Sequence, residues 1–203
     1  MGELVRNVLE HACCPSGAVV AAQYYKKSGT VRIGICDGGI GIRESMARAW
    51  PQHALTDIDA IKWALVPGVS GTTSNEGGTE ENAGAGLFFI KSIARAARNY
   101  FMVYSGTGIY KLLLADGRAA WRTINPDPND DPHTERDDAP FFQGTLVAID
   151  LSLDVAGGRE KSAFSTGGVA GDRFARLLAE IRESYGRAIR ERKQRKYKQP
   201  LWR

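Results

Sequence analysis

The stretch Ile35–Ile42, ICDGGIGI, sets one carboxylate, Asp37, against three glycines, among them Gly39 and Gly41. A carboxylate at a strand end accepts hydrogen bonds. Glycines without a Cβ let the backbone turn sharply and let a flat ligand lie close, so these residues could hold the amino group of a planar base. Taken alone, they could equally be a hairpin turn. In GAGLFFIK, Gly84, Gly86 and Leu87 stand where a glycine-rich loop feeds into a helix, and unpaired N–H groups at a helix start favour an anion. A mobile loop followed by a packed helix fits the same residues. Lys91 lies one turn farther in, within reach of that anion or of solvent. Glu3 and Asn7 are four residues apart, so on a helix their side chains lie side by side and can point at one ligand. Glu3 could otherwise only complement the helix dipole. Thr145 follows Gly144 at the start of a late strand, an ordinary place for a threonine.

The elements that must position these residues follow from periodicity. In ELVRNVLEHA, Leu4, Val5, Val8, Leu9 and Ala12 recur at helical spacing, leaving Glu3, Asn7 and Glu10 on another face. AVVAAQYY and TVRIGICD are strand-like runs joined by the turn-prone KKSG, which predicts a hairpin with Asp37 at the end of its second strand. TDIDAIKWALV predicts a short helix capped by Thr56 or Asp57. The Gly, Ser, Thr and Asn content of PGVSGTTSNEGGTEENAGAG predicts a mobile loop, and LFFIKSIARAARN predicts a helix after it. Strands are expected in YFMVYSG, GIYKLLLADG and TLVAIDLSL. The acidic, proline-rich NPDPNDDPHTERDDAP between the last two predicts a solvated loop with little order. GDRFARLLAEIRESYGRAIRER is amphipathic through Phe174, Leu177, Leu178 and Ile181.

The chain of 203 residues is 43% hydrophobic, enough for one sizeable core. No run approaches the roughly 18 apolar residues that cross a bilayer, and Glu3 and Glu10 stand where a signal peptide would be basic, so no membrane partner is expected and cytoplasmic is the default. Cys13, Cys14 and Cys36 lack CxxC spacing and read as buried or half-buried thiols. Arg187–Arg203 holds eight Lys or Arg against Glu191, so the net charge of +4 belongs to the tail and leaves −3 for the rest. Such a run could touch nucleic acid, an acidic partner or a membrane surface, or only solvent.

Taken together and in order, ELVRNVLEHA, DGGIG, GAGLFFIK and GTLVAIDL resemble the N box and successive glycine boxes of the GHKL ATP-binding superfamily, which unites DNA gyrase, heat-shock chaperones, histidine kinases, mismatch-repair ATPases and anti-sigma serine kinases. The resemblance spans roughly residues 3–151. It implies an α/β two-layer sandwich, a mixed β-sheet with helices on one face (the Bergerat-type ATP-binding fold), lacking the usual N-terminal elements because the chain begins almost at the N box. Residues 1–155 would form the ATP-binding domain, with a lid at about 43–83, and residues 156–203 an amphipathic helix and basic tail.

By the same resemblance the ligands are ATP and Mg²⁺. Asp37 would accept from the adenine amino group, Gly39 and Gly41 would shape the purine pocket, and Thr145 would support Asp37 and a bridging water. Gly84, Gly86 and Leu87 would cradle the phosphates. Asn7 would hold Mg²⁺ through its carboxamide oxygen, a hard ligand of the kind this ion prefers. Glu3 would orient and deprotonate the attacking water or hydroxyl. The function implied is Mg-ATP binding with slow hydrolysis or phosphoryl transfer, coupled to lid closure over a protein partner. The alternatives are a nucleotide-gated interaction module without turnover and a protein that carries a basic nucleic-acid arm. Three features depart from the family pattern: the Asn that usually follows the adenine-binding Asp is Gly38, the lid lacks the aromatic motif of many histidine kinases, and His11, His53 and His133 do not stand where a phosphoacceptor would.

Overall fold

A computed structural model describes residues 17–71, 86–113, 124–152 and 169–198. The expected hairpin is present as β1 (Ala18–Tyr25) and β2 (Thr30–Asp37), paired from Ala18 opposite Asp37 to Tyr25 opposite Thr30. Its turn closes through Gly29 at φ +60, a conformation that costs glycine little. Then come α1 (Gly41–Ala49), a 3₁₀ turn at Pro51–His53, α2 (Asp57–Ala64), α3 (Gly86–Ala96), β3 (Phe101–Gly106), β4 (Gly108–Leu112), β5 (His133–Arg136), β6 (Phe142–Ser152) and α4 (Val169–Lys198).

Among the described residues the strands form one six-stranded sheet in the order β1-β2-β6-β3-β4-β5. Every pairing in it is antiparallel. The expectation of a mixed sheet is therefore corrected. β2 and β3 do run the same way, with the chain between them crossing over through the helices, but β6 enters between them and opposes both. The register aligns Ile33, Ile149 and Phe101 in one row and Ile35, Val147 and Val103 in the next, all buried on one face. Ile42 and Met46 of α1, Ile58, Ala60, Ile61 and Ala64 of α2, and Ala94 of α3 join the same core cluster. The fold is thus an α/β sandwich with these helices on one face of the sheet.

Local signals explain the helices. Thr56 caps α2, its hydroxyl accepting from the Asp59 N–H at 3.2 Å. α1 was not anticipated, although Ile42, Met46 and Trp50 recur at helical spacing and all three are buried. α4 packs on α3 through Tyr185, whose ring lies 6.2 Å from that of Phe88 and 5.8 Å from that of Phe89, and it buries Ile181 and Ala188. Much of the segment expected as a lid is core: Met46, Trp50, Ala54, Ile58, Ile61, Leu65 and Val66 are all buried.

The acidic insertion is ordered, against expectation. It forms a 3₁₀ turn at Pro128–Asp130 and supplies β5, which pairs with β4. Asp131, 2% exposed, bridges Lys91 at 2.5 Å and Arg95 at 2.8 Å. The Tyr110 hydroxyl donates to the Pro128 carbonyl at 2.9 Å. Paired buried charge and strand hydrogen bonds hold this segment, and apolar content does not register either of them.

Candidate functional site

β2, β6 and β3 end together at one margin of the sheet. There the register aligns Asp37 with Thr145 and Thr145 with Ser105, one row beyond Ile35, Val147 and Val103 on the helix-bearing face. This row is polar where the preceding rows are apolar.

Asp37 is 8% exposed. Its Oδ1 accepts from the Gly39 N–H at 2.9 Å, the short Asp turn that DGG favours. Among the described residues its second carboxylate oxygen takes no hydrogen bond. Gly144, at φ +92, lies against it: a Cβ there would fall 2.8 Å from Asp37 Oδ1. Gly41, at φ +77, likewise leaves room for Ser105, since a Cβ would stand 3.0 Å from the Ser105 hydroxyl. Absent side chains at 41 and 144 are what let three strand ends and the start of α1 converge.

Ser105 ties these pieces together. Its hydroxyl donates to the Gly144 carbonyl at 2.7 Å, accepts from the Ile42 N–H at 2.9 Å and lies 3.4 Å from the Thr145 hydroxyl. The Gln143 amide donates to the Gly39 carbonyl. Sequence reasoning missed Ser105, Gln143 and the packing role of Gly144. The available signal was a serine closing an otherwise apolar strand, directly before a glycine.

Of the residues singled out in the sequence, Asp37, Gly39, Gly41 and Thr145 thus meet at one place. Gly86 and Leu87 open α3, and Leu87 packs partly buried against the core. Lys91 reaches neither an anion site nor solvent: it is 1% exposed, and its ammonium donates to Asp131 and, at 3.0 Å, to the Asn125 carbonyl. Burial holds that ammonium below its usual pKa, with Asp131 opposing the shift. Burial also raises the Tyr110 phenol, and the negative charge of Asp131 adds to the effect. Glu3, Asn7 and Gly84 lie outside the described residues, as do positions 72–83 of the expected lid.

The open oxygen of Asp37 can accept a hydrogen bond from a ligand donor. Asp37, 8% exposed, keeps one carboxylate oxygen open to a donor, Gly144 packs against the other, and the register sets Thr145 opposite it. No helix among the described residues is long and apolar enough to cross a membrane. No protein-family model matches the chain, and no curated protein is significantly similar to it.

Proposed function

We propose that this chain is an Mg-ATP-binding domain of the GHKL type, with a Bergerat-type fold, that hydrolyses ATP slowly or transfers its phosphoryl group. One observation carries the reading: Asp37 is nearly buried, with one carboxylate oxygen committed to the Gly39 N–H and the other without a hydrogen bond among the described residues. The second oxygen is thus free to accept from a donor on a ligand. The exocyclic amino group of adenine would supply a donor to that second oxygen.

The remaining roles rest on the sequence resemblance. Gly84, Gly86 and Leu87 would meet the phosphates at the start of α3, where exposed N–H groups and the helix dipole favour an anion. Bound Mg²⁺ would neutralise phosphate charge, with Asn7 as its ligand from the chain. Glu3 would take the proton from the attacking water or hydroxyl. Positioning and charge neutralisation would supply most of the rate. Closure of the lid over a partner also rests on the resemblance, and residues 43–71 of that expected lid hold much of the core.

Titration calorimetry with ATP and Mg²⁺ tests the reading. Asp37→Asn should weaken binding by about 1–3 kcal/mol, the cost of spoiling a buried hydrogen bond to a charged group. Glu3→Ala should spare affinity and reduce phosphate release by roughly 100-fold or more. Equal ATP affinity in wild type and Asp37→Asn would remove adenine from this site.

A second reading has an observation of its own. α4 buries Ile181 and Ala188, while Arg176, Arg182, Arg187, Arg190, Lys193 and Arg195 are exposed. Glu180, Glu183 and Glu191 are exposed on the same helix and Arg187 pairs with Glu183, so the helix carries a positive surplus that suits a nucleic-acid backbone.

A further inference from the structure

The two edges of the sheet are built differently. At one edge β5 is four residues long and carries Glu135 and Arg136, two devices by which natural sheets discourage pairing with another chain. At the other edge β1 runs for eight residues, Ala-Val-Val-Ala-Ala-Gln-Tyr-Tyr, with neither a charge nor a proline. Its pairing with β2 continues without a bulge from Ala18 to Tyr25. Among the described residues nothing pairs with its outer side. Val19 is 67% exposed, Val20 and Tyr24 are each 53% exposed, and Tyr25 is 39% exposed. A long, regular, uncharged edge flanked by apolar side chains on both faces is a template for another strand.

We propose that β1 is a self-association edge: two copies of this chain pair their β1 strands antiparallel about a two-fold axis normal to the sheet, midway between their two Ala22 residues. Residues opposed across an antiparallel pair point to the same face, and such an axis preserves faces, so position 20 meets position 24 and position 19 meets position 25. The helix-bearing face then gains two Val20–Tyr24 contacts and the other face two Val19–Tyr25 contacts. Pairs of β-branched and aromatic residues are among the favourable cross-strand combinations. Centring one residue earlier sets Val19 against Gln23, and one residue later sets Val20 against Lys26. Only the Ala22 alignment of these three matches both valines with both tyrosines. It also places Lys26 opposite Ala18, which keeps the like charges of the two copies apart.

The result joins two six-stranded sheets into one of twelve. The strip of contact is a single strand long, about 26 Å. That places the interface at or below ~1,200 Å², the low end of specific interfaces, so the dimer should dissociate on dilution. The inference is independent of any ligand at Asp37.

Sedimentation of the full chain over roughly 1–500 µM, the range of weak contacts, should show a monomer passing to a dimer. Val20→Lys, which sets an ammonium against the partner's tyrosine, should remain monomeric with an unchanged circular-dichroism spectrum. Ala22→Cys, with Cys13, Cys14 and Cys36 replaced by serine, should form a disulfide-linked dimer on oxidation. Leu55→Cys in the same background, exposed on the α1–α2 connection, should not. The disulfide test stands even if Val20→Lys fails to fold. A wild type that stays monomeric throughout, a dimer that Val20→Lys leaves intact, or cross-linking no faster at position 22 than at 55 overturns the proposal. A monomer whose β1 amides are protected from hydrogen exchange on both edges also overturns it, because the chain would then cover its own edge.

Discussion

Gly144 stands directly against Asp37: a Cβ at position 144 would lie 2.8 Å from the Asp37 carboxylate, and the backbone there has φ +92. The glycine near the start of the last strand and the acid closing the second are thus one packing unit, although they stand 107 positions apart. Gly144→Ala should lose about 1–3 kcal/mol of stability from backbone strain alone. It should also displace the Asp37 carboxyl and so weaken ATP binding, at temperatures where the variant is still folded. Urea unfolding and calorimetry on the same sample separate the two effects. Unchanged values in both would refute the close approach.

Asp131 should be the costliest polar position to alter. Asp131→Asn leaves Lys91 and Arg95 without their carboxylate in a region where Lys91 is 1% exposed. Removing one partner of a buried ion pair typically costs about 3–5 kcal/mol. A loss below about 1 kcal/mol in urea unfolding would class the cluster with exposed pairs.

Tyr110 supplies a pH dependence with a definite sign. Burial raises its phenol pKa in the folded chain. Above about pH 10, where an exposed tyrosine ionises, the unfolded chain loses this proton and the folded chain keeps it. The stabilisation is therefore complete below pH 10 and falls as pH rises beyond it. Stability of the wild type should drop relative to Tyr110→Phe by up to about 1.4 kcal/mol per pH unit in that range. Parallel profiles for the two proteins would contradict the burial of the phenol.

If the cationic surface of α4 binds nucleic acid, affinity for duplex DNA should fall steeply with salt through counterion release. Arg190→Glu combined with Lys193→Glu should lower both affinity and salt slope, while ATP binding is unaltered. Binding without salt dependence, or none at any salt, would leave this surface to solvent.

The local part of the fold was legible because short-range physics governs it. Alternating Val, Ile and Tyr made the β1–β2 hairpin readable, the Thr56 cap and helical period made α2 readable, and Asp37 followed by glycines marked the end of β2. Thr145 beside Asp37 was expected only through the resemblance, and the register now sets them opposite each other. Nothing in the sequence alone could supply that register: β6, which begins 36 positions after β3 ends, enters between β2 and β3, and that entry makes every pairing antiparallel. The same holds for Ser105, whose importance lies wholly in what it touches on β6 and α1, and for Lys91, which looks free in the sequence until Asp131 arrives from an insertion with no apolar pattern. Periodicity reports which face of an element is apolar. It carries no information on which distant polar groups will neutralise one another, because that depends on the three-dimensional order of the strands.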